Sequence, residues 1–405
     1  MTHQHNESDR SVLMHVTIYG LLVAFMATIF FGCDQVQQLI TPGTPSSVKL
    51  GLLLDENQFI STRYGAQLAL SEVNQQSGLF GIPIELVIRD TTGRPNRAEQ
   101  LAEQLITQHN VVAILGPNTA EEAVRVGQVA QGHHVPMLAT TPTDPHVTDA
   151  GEFAFMTTFT DSYQAQVMAG FARKTLNAVK AAILTQNSNP HSEELSALFA
   201  TDFTALGGQV VARENYAAGD TDFTAQLTRI AGEAPDVIFV PGSAPEVPLI
   251  VQQARRTPQP NASGITAKFL GSNRWDTPAV FNQPVMQDNF YSGVFAAEFP
   301  KAIQKHPNAT FTESETHFIS AYTDMFGIKP DGAAALGYDA VRLVVTAMRR
   351  AGEAKGETIR DQIAATRNYR GATTIVKFDE NRRPTKNAIV LHIGDEPHFQ
   401  QRFEP

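Results

Sequence analysis

The feature that most constrains the fold is an alternation of short apolar runs with helix-period segments, which occurs twice along the chain. In the first series, strand and helix patterns alternate in the order 48–54, 65–74, 84–89, 97–108, 111–115, 120–131 and 136–139. This arrangement is typical of a mostly parallel sheet flanked by helices. A second series of the same order runs from 161 to 271, and Asp161 and Gln164 are predicted to form the capping box of its first helix. The sequence therefore predicts an α/β protein with two Rossmann-like lobes of one construction.

The order of elements changes after the second series. A strand at 291–297 is followed by helical segments at 312–326, 333–351 and 358–365, and then by strands at 374–378 and 389–393. Helices in this position predict that the chain returns to the first lobe, and repeated crossings between lobes give a hinge and a cleft. The predicted boundaries are a signal peptide with lipobox at 1–33, a linker at 34–47, a first lobe at 48–158 plus 298–368, and a second lobe at 159–297 plus 369–405.

An apolar stretch near the N-terminus predicts export. As a helix, 16–31 would be about 24 Å long, which is short of the ~30 Å hydrocarbon core of a bilayer and fits a signal peptide better. The stretch ends at Gly32 and Cys33, the only cysteine of the chain. This order resembles the lipobox of bacterial lipoproteins, which implies that Cys33 is acylated. An uncleaved signal anchor with a chance cysteine is the alternative, and both place the body on the periplasmic or extracytoplasmic face of a bacterial membrane.

Composition and missing motifs exclude several classes of function. The chain carries 41 acidic and 31 basic residues, a net charge of -10, which disfavours a nucleic-acid partner. One cysteine cannot make an internal disulfide or a cysteine-based zinc site. The chain also lacks a phosphate-binding loop, a dinucleotide fingerprint, a nucleophile elbow and an H-E-x-x-H helix. The sequence therefore predicts no enzyme activity, no metal and no cofactor.

The loops that follow predicted strands carry the candidate site. Ligands of open α/β sheets bind beyond the carboxyl ends of strands, where helix N-termini present free N–H groups. Threonine hydroxyls there suit a carboxylate or a hydroxyl-rich ligand, although ordinary turn and cap residues are the alternative. The sole tryptophan is either a wall for an apolar or cationic group or a lid over its own lobe's core. The candidate ligand-binding residues are Thr119, Ala120, Thr141, Thr143, His191, Ser243, Asn273 and Trp275.

Several short segments, taken in their order and spacing, resemble a known family. They include GAQLALSEVN at 65–74, ILGP at 114–117, GSNRWD at 271–276, ALGYDA at 335–340 and KFDEN at 377–381. Together they resemble the type I periplasmic solute-binding proteins of the leucine/isoleucine/valine-binding kind, which serve ABC importers. The resemblance extends from about 48 to about 399. It implies two lobes joined by three crossings that close on a ligand held between them.

The resemblance transfers the family's ligand contacts only in part. The serine that follows Gly-Pro in the family is replaced by Ala120, with Thr119 beside it, while the family's threonine matches Thr143. The aromatic contact of the second lobe appears as His191, and the acidic residue for the ligand ammonium appears as Asn273.

Two functions follow from the resemblance. The first is a monomeric, lipid-anchored solute-binding subunit of an ABC importer, which binds an amino acid or a related small polar or carboxylate solute and delivers it to a permease in the membrane. The altered contacts leave a second function open: a ligand-sensing or regulatory envelope lipoprotein that acts on a protein partner.

Overall fold

The computed structural model describes residues 46–259, 262–298, 311–395 and 397–405. The predicted signal peptide, Cys33 and nearly all of the predicted linker lie outside the described residues. The strands are β1 Val48–Leu54, β2 Ile84–Asp90, β3 Ala113–Leu115, β4 Met137–Ala139, β5 Ala154–Met156, β6 Lys180–Gln186, β7 Gln209–Tyr216, β8 Val237–Val240, β9 Lys268–Gly271, β10 Phe290–Gly293, β11 Arg367–Arg370, β12 Thr374–Phe378, β13 Pro384–Lys386, β14 Ala388–Ile393 and β15 Pro397–Phe403.

The helices separate these strands for most of the chain. They are α1 Glu56–Gln75, α2 Pro95–Thr107, α3 Ala120–His133, α4 Asp161–Gly170, α5 Pro190–Ala205, α6 Thr224–Glu233, α7 Glu246–Ala254, α8 Pro278–Phe281, α9 Glu313–Phe326, α10 Gly332–Ala351 and α11 Gly356–Ala364. Among the described residues, no helix combines the length and the apolar character needed to cross a membrane.

Two large sheets form the two lobes. The first has the strand order β2-β1-β3-β4-β5, with every pairing parallel. The second has the order β15-β14-β10-β9-β8-β6-β7, in which β14 and β15 are antiparallel additions to five parallel strands. The central strands of both sheets are almost completely buried, because helices cover both faces of a parallel sheet. The predicted class of two α/β lobes is confirmed.

A small third sheet, β11-β12-β13, belongs to the core of the first lobe. Ile375 and Phe378 of β12 are buried in that core, and Phe378 meets Phe155 of β5 edge to face at 5.7 Å between ring centroids. The sequence placed residues 369–405 in the second lobe, but β12 packs in the core of the first lobe. The chain leaves the first lobe only after Lys386, because the apolar face of β12 is covered by first-lobe residues.

The first-lobe core depends on a close crossing of α1 and α10. A Cβ atom added to Gly65 would lie 1.9 Å from the carbonyl oxygen of Ala334, and one added to Gly337 would lie 2.2 Å from that of Thr62. The two glycines therefore allow the helix backbones to touch. Because α1 begins at Glu56 and α10 at Gly332, this crossing also fixes the position of two helix N-termini at the edge of the cleft described below.

The chain passes between the lobes three times, as the resemblance implies. The crossings lie between Met156 and Asp161, between Gly293 and Glu313, and between Lys386 and Ala388. A hydrogen bond joins the first and third crossings, because the buried Lys386 ammonium donates to the Thr157 carbonyl at 2.8 Å. Burial lowers the pKa of Lys386 to about 8, against the opposing effect of the Asp339 charge.

Candidate functional site

A cleft of about 2260 Å³ lies between the two lobes and is lined by loops from both sheets. The carboxyl ends of parallel strands in each lobe face it, as expected for open α/β sheets. Its volume exceeds the roughly 300 to 1,000 Å³ of typical small-molecule sites, so the cleft has room to close around a ligand. Of the predicted site residues, those lining the cleft are Thr119, Ala120, Thr141, Thr143, His191, Ser243 and Asn273.

On the first-lobe wall, Thr119 is the N-cap of α3. Its hydroxyl oxygen accepts from the Glu122 main-chain N–H at 3.4 Å, and its hydroxyl donates to the Glu122 carboxylate at 2.8 Å. The bonds of Thr119 are therefore those of a helix cap. Ala120, the first residue of α3, offers the cleft a methyl group and the N-terminal end of the helix, which favours negative charge.

Asn118 connects this helix start to the neighbouring loop. Its side-chain amide nitrogen lies 3.0 to 3.2 Å from the hydroxyl oxygens of Thr62, Thr140 and Thr141, which share its two N–H donors. The Thr141 hydroxyl in turn donates to the Asn118 main-chain carbonyl at 2.7 Å, which ties the two loops together. Only 4% of Asn118 is exposed. Sequence reasoning missed this residue, although its place after Gly116-Pro117 at a strand end was the available signal.

Thr143 connects the two lobes through Asp161. Its carbonyl accepts from the Asp161 main-chain N–H at 2.9 Å, and its hydroxyl donates a hydrogen bond to the Asp161 carboxylate. That carboxylate also lies 3.2 Å from Nδ1 of His191. Burial raises the pKa of Asp161, but His191, Thr143 and the charge of Arg274 together hold it below its usual value. Asp161 is therefore an ionised group at the base of the cleft.

The predicted capping box at Asp161 and Gln164 is wrong. Thr160 is the N-cap of α4, because its hydroxyl accepts from the Tyr163 N–H. Asp161 lines the cleft and accepts from the Gln164 side-chain nitrogen at 3.1 Å, while the Gln164 side-chain oxygen accepts from the Asn273 N–H and the Ser292 hydroxyl, both at 2.7 Å. Beside this local contact, the D-x-x-Q pattern therefore serves contacts between elements that are distant in sequence.

The second-lobe wall begins at the N-terminus of α5. Asn189 caps this helix and Pro190 occupies its first turn, which directs His191 toward the cleft. Nε2 of His191 lies 3.5 Å from the Ser272 hydroxyl, at the end of β9. Ser243, after β8, also faces the cleft, with only a long 3.4 Å contact from its hydroxyl to the Ala244 carbonyl.

Trp275 lies in the core of the second lobe, where the sequence predicted a possible wall of the cleft. It is 0% exposed and belongs to the buried cluster behind the sheet. Its ring packs on Gly271, where an added Cβ would lie 2.1 Å from it. The short helical turn at Asn273–Trp275 directs the indole inward. Of the two roles that the sequence left open for Trp275, the structure therefore agrees with the one in which it covers the core of its own lobe.

Two acidic residues that the sequence did not single out meet across the lobes at the cleft. Asp276 of the second lobe accepts from the Tyr291 hydroxyl at 3.0 Å and from the Gly332 N–H of the first lobe at 3.3 Å. Asp331 caps α10 by accepting from the Ala334 N–H at 2.8 Å. Burial, together with the nearby charge of Asp331, raises the pKa of Asp276 to about 7, although the hydrogen bonds from Tyr291 and Gly332 oppose the shift.

The chain matches the sequence model of a family described as periplasmic binding protein over residues 51–396. The chain belongs to the periplasmic binding protein family. A leucine-binding protein from Thermotoga maritima has a similar structure, with a TM-score of 0.76 and 30% identity over 88% of this chain and 99% of that one. A branched-chain amino acid transporter substrate-binding protein from Streptococcus pneumoniae, solved with isoleucine, gives a TM-score of 0.75 and 26% identity over 87% of this chain and all of that one (100%).

Curated relatives of this binding protein agree with the family. A Leu/Ile/Val-binding protein from Rhizobium johnstonii is 30% identical over 190 residues, which cover 47% of this chain and 51% of the relative. A Pseudomonas aeruginosa protein named for binding leucine, isoleucine, valine, threonine and alanine is 24% identical over 325 residues, 78% of this chain and 80% of the relative. The chain spans about half the length of the first of these relatives. All four proteins are named as binding proteins, which agrees with the prediction that this chain is not an enzyme.

The residues that the structure describes contain no cluster of three or more histidine, cysteine or carboxylate side chains arranged to hold a metal ion. The cleft offers hydroxyls, amides and a helix N-terminus on one wall and an imidazole, an amide and a guanidinium on the other, together with carboxylates that include Asp161 and Asp276.

Proposed function

We propose that this periplasmic binding protein is the extracytoplasmic solute-binding subunit of an ABC importer. It captures an amino acid or a related small polar or carboxylate solute by closure of the two lobes. The observation that carries the proposal is the cleft itself: both of its walls are built from strand-end loops, and the lobes on either side are joined by three crossings.

The first-lobe wall is suited to a ligand carboxylate. The N-terminus of α3 presents main-chain N–H groups beside Thr119, and the neighbouring loop is fixed by the bonds between Thr141 and Asn118. Because the hydroxyl protons of Thr119 and Thr141 are donated to Glu122 and to the Asn118 main chain, the donors open to a ligand are these N–H groups. Helix N-termini stabilise anions, and preformed donors lower the cost of ordering on binding. Ala120 removes one hydroxyl from this set, so the remaining donors are mainly main-chain groups.

The relatives support the same class of ligand. The Streptococcus pneumoniae protein is described in complex with isoleucine, and the Thermotoga maritima protein is named for leucine. We extend to this chain the role of delivering a small carboxylate-bearing solute to a membrane permease. We also propose that Cys33 carries the lipid anchor, which holds the monomeric binding protein near that permease.

Titration calorimetry of the purified full-length protein against amino acids, carboxylic acids, amides and ureas tests the proposal. Binding of at least one solute, with a decrease in the radius of gyration measured by small-angle X-ray scattering, is expected. Thr141→Val should weaken that binding, whereas Gly132→Ala, at an uncrowded position in α3, should leave it unchanged. Silence across the whole panel, with no compaction, would contradict solute capture and favour the alternative of an envelope sensor acting on a protein.

The anchor has its own test. Metabolic labelling with a fatty acid should mark the wild-type chain in membranes, and Cys33→Ser should abolish the label and release the protein into the soluble fraction. An unlabelled wild-type chain that stays in the membrane would instead support the uncleaved signal anchor.

A further inference from the structure

The connection from α1 to β2 presents a phenylalanine at the tip of a tight turn. The main-chain N–H groups of Leu79 and Ile82 each donate to the other residue's carbonyl, at 2.8 and 2.9 Å. Between them, Phe80 and Gly81 form a two-residue turn, and residues 79–82 are called the Phe80 turn below. Leu79 is buried in the first-lobe core, which fixes the base of the turn. Phe80 is 59% exposed, the largest exposed fraction of any large apolar side chain that the structure describes.

The backbone of Phe80 makes this exposure unusual. A single exposed apolar side chain is common on protein surfaces, so exposure alone marks no contact. The φ of Phe80 is 54° and that of Gly81 is 84°, the two positive values of a type I′ turn, in which asparagine followed by glycine is preferred. A phenylalanine in the left-handed region carries a conformational cost that asparagine largely avoids. The sequence therefore keeps an aromatic ring at a position that the turn itself does not favour.

Two guanidinium groups lie at the same end of the first lobe. Arg349, in the last turn of α10, donates to the Gly78 carbonyl at 3.0 Å, which places its guanidinium beside the Phe80 turn. Arg350 follows it and is also exposed, and no carboxylate of the described chain lies within salt-bridge distance of either guanidinium. An exposed aromatic ring next to unpaired guanidinium groups suits the headgroup region of a bilayer, where rings sit at the interface and cations meet phosphate.

The acidic residues close to this end are offset by lysines. Glu85 of β2 is the register partner of Lys49 of β1, and Glu353 forms an ion pair with Lys355 at 2.8 Å. The net charge of the whole chain is -10, so a general attraction to anionic lipid does not drive such a contact. A contact made by one ring and one or two guanidinium groups is therefore weak, and it needs a tether.

The chain enters the first lobe at this same end. The Val48 main-chain N–H donates to the Pro83 carbonyl at 2.9 Å, directly after the Phe80 turn. From Cys33 to Ser46, the first described residue, the chain can span at most about 45 Å. An anchor at or before Cys33 therefore keeps the Phe80 turn at a high effective concentration beside the bilayer, where a weak contact suffices.

We propose that the Phe80 turn and Arg349 form a second, reversible membrane contact. The Phe80 ring enters the headgroup region of the bilayer, and the guanidinium bonds lipid phosphate. This inference rests on the anchor proposed for this chain, in either form, the acylated Cys33 or the uncleaved signal anchor. The contact turns the amino-terminal edge of the first sheet toward the bilayer. The cleft, at the carboxyl ends of the strands, then faces the solution from which solute is captured.

Tryptophan reporters in the full-length protein test the contact. The protein is purified in detergent and reconstituted into vesicles of phosphatidylethanolamine and phosphatidylglycerol, with or without bromine on the acyl chains close to the headgroups. Gln76→Trp places a reporter at an exposed position at the end of α1, with Phe80 unchanged. The native Trp275 is buried and gives a constant background. We expect brominated lipid to quench the Gln76→Trp reporter.

Two further substitutions in the reporter protein identify the groups responsible. Phe80→Asn should shift the equilibrium about tenfold toward the unbound orientation, because it removes the transfer of one aromatic side chain, and the quenching should fall. Asparagine before Gly81 suits the turn, so the midpoint of urea unfolding should stay unchanged or rise, which separates lost contact from lost fold. Arg349→Gln should shift the same equilibrium about fivefold.

Val179→Trp is the matched control. Val179 precedes β6 in the second lobe and is 56% exposed, so its reporter is as accessible as one at the Phe80 turn but lies on the other lobe. Brominated lipid should leave this reporter unquenched. Quenching of both reporters alike would show that the ring of tryptophan itself, or crowding on the vesicle, brings the protein surface to the lipid.

The outcomes distinguish the contact from the anchor. Quenching that Phe80→Asn lowers and that Val179→Trp lacks supports the contact. Equal quenching of the two reporters, or quenching that Phe80→Asn leaves unchanged, overturns the contact and leaves the anchor intact. A Gln76→Trp reporter that is shielded from aqueous iodide but not quenched by brominated lipid assigns the turn to a second copy of the chain and also overturns it. Wild-type protein that does not float with the vesicles overturns both.

Discussion

Gly65→Ala should destabilise the protein, although alanine is the better helix former. The new methyl group would lie 1.9 Å from the Ala334 carbonyl oxygen and 2.7 Å from its carbonyl carbon, so the backbone of α10 must move. Overpacking of a close contact costs about 1 to 3 kcal/mol. The gain in helix propensity is about 1 kcal/mol or less. We therefore expect a net loss of about 1 to 2 kcal/mol in the free energy of unfolding.

Gly132→Ala is the matched control. Gly132 also lies in a helix, α3, but no atom comes within 4 Å of its added Cβ. Here only the propensity acts, so the free energy of unfolding should rise by a few tenths of a kcal/mol, up to about 1. Gly337→Ala tests the same crossing from the α10 side. The double variant Gly65→Ala/Gly337→Ala should lose less free energy of unfolding than the sum of the two single losses, because the two sites share one contact surface.

Urea unfolding followed by circular dichroism measures the wild type, the three single variants and the double variant. The midpoint should fall for Gly65→Ala and for Gly337→Ala and should rise slightly for Gly132→Ala. Equal midpoints for Gly65→Ala and Gly132→Ala would refute the reasoning, because they would show that the helices separate at little cost.

Three further predictions concern the hinge and the cleft. The pKa of Asp276 in the folded protein is about 7, above the ordinary 3.8, so the contribution of this carboxyl to the free energy of unfolding is complete below pH 4 and is lost as pH rises through 7. The melting temperature of the wild type should therefore fall between pH 4 and 7, and Asp276→Asn should make that fall smaller. Lys386→Met removes the buried ammonium that donates to the Thr157 carbonyl and the Thr373 hydroxyl, and it should cost about 1 to 3 kcal/mol in chemical unfolding because these buried acceptors lose their donor; an unchanged free energy of unfolding would contradict a role of this ammonium in joining the crossings. Ala120→Ser adds a hydroxyl at the start of α3 and should raise affinity for carboxylate ligands about fivefold by calorimetry, the effect of one hydrogen bond of about 1 kcal/mol; unchanged affinity would place the carboxylate elsewhere.

The sequence predicts the two series of strands and helices well, because each element there is a long apolar or amphipathic run. The strands that it missed are short or polar, such as β5 Ala154–Met156 and β11 Arg367–Arg370. Strand β15, Pro397–Phe403, is half-buried at a sheet edge, so it has no continuous apolar run to mark it. Edge and short strands depend on pairing with neighbours, which local periodicity does not report.

The sequence could predict which residues line the cleft only where a residue directly follows the end of a strand. Thr119, Thr143 and Asn273 follow strand ends, and all three line the cleft. Trp275 also follows a strand, but a single helical turn directs it into the core, and no pattern in the sequence marks that turn. Asp276 was missed for a different reason: its role depends on Gly332, which is 56 positions away in the chain.

Two of the interlobe contacts indicate where closure pivots. Asp161, on the second-lobe side of the first crossing, is bonded to Thr143 of the first lobe, and Asp276 of the second lobe is bonded to Gly332 of the first. An added Cβ on Gly332 would also meet Val294, so the second contact lies beside the second crossing. Contacts that hold the lobes together this close to the crossings change little as the lobes rotate. We therefore expect the pivot of closure to pass near both pairs.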